Sequence, residues 1–471
     1  MSSVGLQDAR EGAEEGGIAP ARRYFAAAAI MLGILMGSLD SSIVNVALPT
    51  VANALHVESV SVIWVANGYQ VASAVFMLIF AALGRVLGQR FIYGAGLALF
   101  TLASLGCAVS GSLGLLVAMR VLQGIGYAAM VTIGLGLYRT IFPPRSLSTV
   151  LGWNALVVSF GMAIGPVVGG VLVSFLSWPW LFLINLPLGL LAFFHAYRSL
   201  PRDTGMTPGF DLLGALLSGL AMCALVTGVD QIGRWPAGML VAMFVASGVL
   251  AAGFVYWQTH AAIPLVPLDI FRSRRFSMAV LASVCMFTAQ GLAMVALPFL
   301  LQHGYGYGVL ESAFIFTPWP LAVVVVAPLA GKLAGRVNGT LLSSAGVIVM
   351  ATGLALLACM PSPASIGTIL WRVCLCGIGY GLFLPPNNSE MLGNVPKTRS
   401  SIASGVLSTA KTMGQSLGAA LVAVVLALVA NVATAGAGAG VPGAAFTRLA
   451  FGLAAAVALL SSLVSVARIH R

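Results

Sequence analysis

Apolar runs of about 20 residues, each closed by glycine, proline or a charge, recur along almost the entire chain. A helix needs about 20 such residues to cross the hydrocarbon core of a bilayer. Counting runs of that length gives fourteen: 25–48, 61–83, 91–110, 113–137, 149–174, 179–198, 211–230, 236–257, 276–301, 312–331, 340–360, 367–391, 401–430 and 446–467. In lipid a spanning segment must satisfy its own backbone hydrogen bonds, so the pattern predicts an all-α integral membrane protein. The first 23 residues, rich in Gly, Ala and Glu, are expected to form a disordered cytosolic tail. Acids fill that stretch and a full-length apolar run follows it, so it does not read as a signal peptide.

Composition agrees with the pattern. Of 471 residues 59% are hydrophobic and 7% charged, with 55 glycines and a mean hydropathy of +1.02. A soluble domain carries about 25% charged residues. The net charge of +11 forms no single patch, which argues against a nucleic-acid partner. Of the 23 Lys and Arg, Arg120, Arg372 and Lys411 lie deep within runs, only Arg234 and Arg448 fall on the side opposite the N-terminus, and the rest share the N-terminal side. Basic residues concentrate in cytosolic loops, so both termini are expected in the cytosol. A miscounted run would invert every later loop, so the charge bias also supports fourteen. Six cysteines, Cys107, Cys223, Cys285, Cys359, Cys374 and Cys376, lie in apolar runs and read as small core residues, with no metal site implied.

The chain repeats itself. Gly124 and Gly377, Gly126 and Gly379, Tyr127 and Tyr380, Pro143 and Pro396, Gly152 and Gly405, Gly161 and Gly414, and Gly165 and Gly418 share one offset of 253 residues. Six runs occupy only about 175 residues, and the seventh and eighth fill the excess. The expected architecture is therefore 6 + 2 + 6: a tail (1–23), a six-helix bundle (24–200), an inserted pair (201–260) and a second six-helix bundle (261–471). Parallel repeats with substrate at their interface are a transporter design.

Several motifs stand in order along these runs. The first run holds Leu39-Asp40-Ser-Ser-Ile-Val-Asn45-Val-Ala-Leu-Pro49, and the fourth Arg120-x-x-Gln123-Gly124-x-Gly126. The fifth holds Gly161-x-x-x-Gly165-Pro166-x-x-Gly169-Gly170, followed by Trp178-x-Trp180-x-Phe182-x-Ile-Asn185-x-Pro187. Phe383-Leu-Pro-Pro386-Asn387-Asn388 and Gly414-Gln415-Ser-Leu-Gly418 come later. On these motifs the chain resembles the fourteen-span drug:proton antiporters of the major facilitator superfamily, over essentially its whole length. The resemblance implies the major facilitator fold, proton-driven export without a bound cofactor, and a proton-transfer role for Arg120. One departure stands out. The family's loop between spans 2 and 3 carries an acid where this chain has Arg85, within Arg85-Val-Leu-Gly88-Gln-Arg90, and the counterpart Gly335-Arg336 lacks its acid too. The latch that this acid supports in the family is expected to differ here.

Asp40 is the most informative side chain. A charged acid deep in a span costs at least about 2.5 kcal/mol, and burial favours its neutral form, as a proton-coupling site requires. The alternative is a structural acid paired with an arginine or held by nearby polar groups. Arg120 either joins in proton transfer or snorkels to the outer interface; Arg372, its repeat partner, reads as structural. Gly161, Gly165, Pro166, Gly169 and Gly170 carry no reactive group and read as a packing face and hinge. Trp64, Asn67, Tyr69, Gln70, Gln123, Gln290, Trp319, Asn387, Asn388, Lys411 and Gln415 are the candidate lining of an adaptable cavity. Lys411 would meet an anionic substrate or pair with Asp40. Glu390, Asp230 and Glu311 lie near span ends, where acids cost little.

No Walker A loop, Gly-x-Ser-x-Gly or His-Glu-x-x-His occurs, which leaves an ion gradient rather than ATP or covalent catalysis. The expected function is proton-coupled antiport, exporting small amphipathic or toxic compounds across a bacterial inner membrane. Transport of one metabolite, and a non-transporting sensor, are the alternatives. Lipid, protons and an unidentified small molecule are the expected partners, a periplasmic adaptor is a further one, and a monomer is the expected state.

Overall fold

The computed structural model describes residues 20–57, 62, 64–203, 209–232, 235–301, 305–307, 309–361, 364–434 and 442–466. The tail expected over residues 1–23 lies almost wholly outside them. All fourteen expected runs are helical. They are α1 (Pro20–Ala54), α2 (Trp64–Leu87), α3 (Gln89–Ala108), α4 (Leu113–Ile141), α5 (Pro144–Phe175), α6 in two pieces (Trp180–Leu183 and Asn185–Ser199), α7 (Leu212–Asp230), α8 (Ala237–His260), α9 (Arg274–Phe299), α10 in two pieces (Val309–Phe316 and Pro318–Ala334), α11 (Gly339–Ala358), α12 (Ile366–Gly393), α13 (Ser400–Thr434) and α14 (Pro442–Val466). Among the described residues thirteen helices are long and apolar enough to span a membrane, and α13, 35 residues long, covers the remaining run.

The ends of the helices follow from local chemistry. Ser112 accepts a hydrogen bond from the Leu115 amide at the start of α4, and Ser365 accepts one from Thr368 at the start of α12. These two N-caps are again 253 residues apart, and each satisfies an amide the helix cannot. Pro144 opens α5 at a position where no amide is needed.

Close helix packing uses the repeated glycines. A methyl at Gly124 would collide with the Tyr69 carbonyl on α2, and one at Gly377 with the Trp319 carbonyl on α10. Gly126 sits against Gly96 and Phe100 on α3, as Gly379 sits against Gly346 and Met350 on α11. The sequence repeat is thus a repeat of contacts, with small residues admitting a neighbouring backbone. Of the inserted pair, α7 packs against α2 and α13, and α8 packs on α7. On α8, Val241, Val245, Val249 and Val255 are exposed, as a lipid-facing helix requires.

The two bundles meet at the end where the arginines concentrate. Gly152 faces the Ala327 carbonyl, Gly331 faces that of Ser148, and Gly136 faces the backbone of Ser401. Arg139 donates to the Leu392 carbonyl (3.2 Å), Thr149 to that of Gly331 (3.3 Å), and Ser404 to that of Thr132. These contacts close the arginine-rich end.

Candidate functional site

Five helices of the first bundle converge on Asp40. The side chains of Asp40 and Arg120 are both essentially inaccessible and form a direct ion pair. Gln123, one turn beyond Arg120 on α4, donates to Asp40 Oδ1 (2.8 Å) and to Ser104 Oγ of α3 (2.8 Å), while its Oε1 accepts from Arg120 (2.6 Å). Asn185 donates to the same Asp40 oxygen (3.0 Å). It enters the cluster because α6 is interrupted at Ile184, so its second piece begins at Asn185. Arg120 Nε donates to the Val65 carbonyl of α2 (2.8 Å), and the guanidinium lies 4.3 Å from the centre of the Tyr69 ring.

This network differs from the sequence expectation in three ways. Arg120 does not snorkel: Asp40, within reach across the α1–α4 contact, holds it inside the bundle. Asp40 pairs with an arginine, the alternative left open for it, and not with Lys411. Tyr69 and Gln123, expected to line a cavity, are buried in the network. Ser104 and Asn185 belong to it although neither was among the candidates. Asn185 stood in a quoted motif, whereas Ser104 gave no signal.

Such a pair is a poor source of net stability, because desolvation offsets much of its attraction, yet removing one member leaves the other charge buried and uncompensated. The pair links α1 to α4 inside the bundle.

The α5 glycines lie along α1. A methyl at Gly161 would collide with Ser38 Oγ, one at Gly165 would stand 2.5 Å from Ser42 Cβ, and one at Gly169 would stand 3.3 Å from Ile43. Ser42 Oγ donates to the Met162 carbonyl (3.0 Å), tying the two helices. Gly170, grouped with them by spacing, faces open space. The helix runs unbroken through position 166; the Pro166 side chain lies outside the described residues.

The remaining cavity candidates divide between the interior and the surface. Gln415 donates to Gln290 (3.1 Å) across α13 and α9, and Asn387 donates to Ser283 (2.7 Å) across α12 and α9. Trp319 is buried and stacked on Phe316, and Asn388 is buried with its Oδ1 unpartnered. Trp64 and Gln70 are exposed, and Asn67 and Lys411 half-buried. Arg372 donates to the Leu356 and Thr368 carbonyls (3.0 and 2.7 Å), a helix-end role unlike that of Arg120.

At the arginine-rich end an acid from outside the loop caps α3. Asp203, beyond α6, accepts from the amides of Gln89 (2.5 Å) and Arg90 (3.1 Å). It thereby caps α3, which has no side-chain cap of its own. Gly88 permits this with φ of +91°, where a methyl would stand 3.0 Å from the Asp203 carbonyl. Arg90 donates to the Tyr197 carbonyl (2.5 Å), and Arg85 reaches the carbonyls of Pro264 (3.1 Å) and Leu265 (3.2 Å) in the α8–α9 connection. That connection is anchored to Asp211, which accepts from Gly214, Trp257, Gln258 and Leu265. Burial raises the Asp211 carboxyl, but these four bonds outweigh it and leave it below the usual carboxylate range. In the second bundle, Gly335 lies against the Arg145 carbonyl and Arg336 is exposed.

Among the described residues, two repeated six-helix bundles with an inserted helical pair, joined at one end, one of them enclosing a buried ion pair, define a polytopic membrane transporter. The Major Facilitator Superfamily matches residues 30–419, and the chain belongs to that family. It is 44% identical over 405 residues to the uncharacterized transporter YebQ of Escherichia coli, covering 85% of this chain and 88% of that one. Riboflavin transporter RibZ of Clostridioides difficile is 27% identical (83% and 85% covered), and multidrug resistance protein Stp of Mycobacterium tuberculosis 32% (83% and 73%). The crystal structure of the human organic anion transporter MFSD10 superposes with a TM-score of 0.67 at 15% identity, covering 94% of this chain and 99% of that one.

Proposed function

We propose that this transporter is a proton-coupled antiporter that exports small amphipathic compounds, with Asp40 as the proton-carrying group and Arg120 as its charge partner. The observation that carries the reading is the buried Asp40–Arg120 pair, enclosed by Gln123, Asn185 and Ser104. An ion pair with essentially no solvent access persists in a membrane protein at a cost, and proton relays are a use that repays it. The likeness to multidrug resistance protein Stp supports export of several compounds. The likeness to RibZ, named for riboflavin, supports a second reading, a transporter of one metabolite.

Basic loops support a cytosolic position for the arginine-rich end, and contacts such as Gly152–Ala327 and Gly331–Ser148 then support reading this form as outward-facing. In this scheme a proton reaches Asp40 from outside, the ion pair opens, and the contact between α1 and α4 loosens. The α1–α5 glycine contact then serves as the surface along which α1 moves. A proton entering down 100 mV supplies about 2.3 kcal/mol, enough to drive about 50-fold accumulation. Lys411, half-buried on α13, is the residue this reading assigns to an anionic group of the substrate.

The test is transport by purified protein in liposomes under an imposed pH gradient, across a panel of cationic, neutral and anionic amphiphiles that includes riboflavin. Uphill movement of several unrelated compounds, collapsed by a protonophore, is expected. Movement of one compound alone would establish the second reading. Movement indifferent to the gradient would remove proton coupling.

A further inference from the structure

The connection between α8 and α9 crosses from one bundle to the other at the arginine-rich end. Its first part is fixed to the inserted pair. Asp211, which caps α7, accepts from the Leu265 amide (3.3 Å), and Gln258 of α8 accepts from the Val266 amide (3.0 Å). Pro264 and Leu265 turn their carbonyls to Arg85 in the last turn of α2 (3.1 and 3.2 Å). The second part, a 3₁₀ turn over Leu268–Arg272, packs on α9 and buries Ile270. There Asp269 accepts from Arg399 (2.6 Å), the residue before α13.

These two attachments flank a contact between the bundles. A methyl on Gly405 of α13 would stand 2.5 Å from Ala81 Cβ of α2. Arg85 is one turn beyond Ala81, and Arg399 is six residues before Gly405. Arg85 and Arg399 are close enough for their charges to interact, and like charges facing each other across a seam push it apart. The connecting segment meets both: backbone carbonyls take one guanidinium and a carboxylate takes the other.

We propose that this segment is a latch, which holds the arginine-rich end closed by gripping α2 through Arg85 and α13 through the Asp269–Arg399 pair. The proposal rests on the outward-facing reading, in which that end parts during transport. Leu265 and Asp269 are four residues apart, so the chain lets them separate by at most about 14 Å. The ends of α2 and α13 therefore cannot move far apart until one grip lets go. The grips act in series, so loss of either frees the seam and loss of both frees it no further. The inserted pair thereby gains a task, because Asp211 and Gln258 hold the segment where Arg85 reaches it.

The experiment reads the closed end away from the segment. Ser148 of α5 is buried with its hydroxyl unpartnered, and its carbonyl faces Gly331 of α10. Ser148→Cys is thus a near-isosteric reporter that opening uncovers. Its alkylation by N-ethylmaleimide is followed on the full chain in liposomes, at that peptide by mass spectrometry, which separates it from the six native cysteines. While the open form is the minor one, the rate follows its population.

The Arg399 and Asp269 side chains are 37% and 48% exposed, and an exposed pair shifts an equilibrium by up to about fivefold. Asp269→Asn and Arg85→Gln should each raise the rate about two- to fivefold, and the double variant should not exceed the larger single. The charge swap Asp269→Arg/Arg399→Asp should return the rate to the parent's. Circular dichroism checks that the variants keep the parent's fold. Gly136→Leu, which wedges α4 away from the Ser401 backbone, opens the end without touching the segment and serves as the reference. A rise in Gly136→Leu with either single unchanged would overturn the latch and leave the outward-facing reading standing. No rise in any variant would overturn that reading and the latch with it. Two further results would overturn the latch alone: a double variant that multiplies the effects of the singles, or a charge swap that stays at the Asp269→Asn rate.

Discussion

Replacing Asp40 by asparagine tests the ion pair most severely. Oδ1 of Asp40 accepts from Gln123 and Asn185, and Oδ2 from Arg120. All three neighbours are donors. An amide has one acceptor and one NH₂ group, so the substituted side chain must turn its NH₂ towards a donor whichever way it lies. A sequence-level view holds that losing a buried charge eases insertion and leaves the fold intact. The buried pair predicts the opposite, because Arg120 would stay buried without its anion. Breaking a buried pair at one end costs about 3–5 kcal/mol, and the same range applies to Arg120→Gln. The double variant removes both charges, so its loss should fall at least about 2 kcal/mol short of the sum of the singles. The assay is reversible unfolding in mixed micelles, run on wild type, both singles and the double. Losses that add to within about 0.5 kcal/mol would show that the two side chains are energetically independent, and the account of the pair would fail.

Other expectations follow from particular contacts. Gly165→Leu would drive a side chain into Ser42 at 2.5 Å and should abolish transport or expression, whereas Gly170→Leu, facing open space, should leave both near wild type; equal behaviour of the two would remove the α1–α5 packing argument. Asp203→Ala uncaps α3 and should destabilise the protein by about 0.5–2 kcal/mol in thermal unfolding. Asp211 is held below the usual carboxylate range, so its contribution is present at neutral pH and is lost as pH falls below about 4. Acid should therefore release Trp257, seen as a change in its fluorescence that disappears in Asp211→Asn. Reporters fused after Arg202 and Arg275 should be cytosolic and one within residues 435–443 external, and the opposite result at either place would invert the topology.

The long apolar runs made the helices legible, because lipid forces a spanning segment to be both apolar and helical. The 253-residue offset likewise showed the two repeats, since matching glycines make matching contacts. The site was legible only in parts. Asp40 and Arg120 each stood out as charges inside runs, but 80 residues separate them, and only the packing of α1 on α4 brings them together. Arg120 stands in the third turn of α4, close enough to its end for snorkelling to look feasible. Asn185 joins the site through a break in α6 that its apolar run conceals. Asp203 lay hidden for a different reason. A helix cap is sought in the residues just before the helix, and this one comes from 114 residues beyond Gln89 and 113 beyond Arg90.

The most direct test of proton coupling is efflux from liposomes containing wild type, Asp40→Glu or Asp40→Asn/Arg120→Gln, with an imposed pH gradient and a compound the wild type exports. The double variant is preferred to Asp40→Asn because it leaves no buried charge unpaired, so a loss of coupling is not confused with a loss of fold. Wild type should concentrate the compound against its gradient. Asp40→Glu should retain part of that activity with a shifted pH dependence. The double variant should exchange compound down its gradient without concentrating it. Uphill transport by the double variant would contradict the account and leave Asp40 a structural residue.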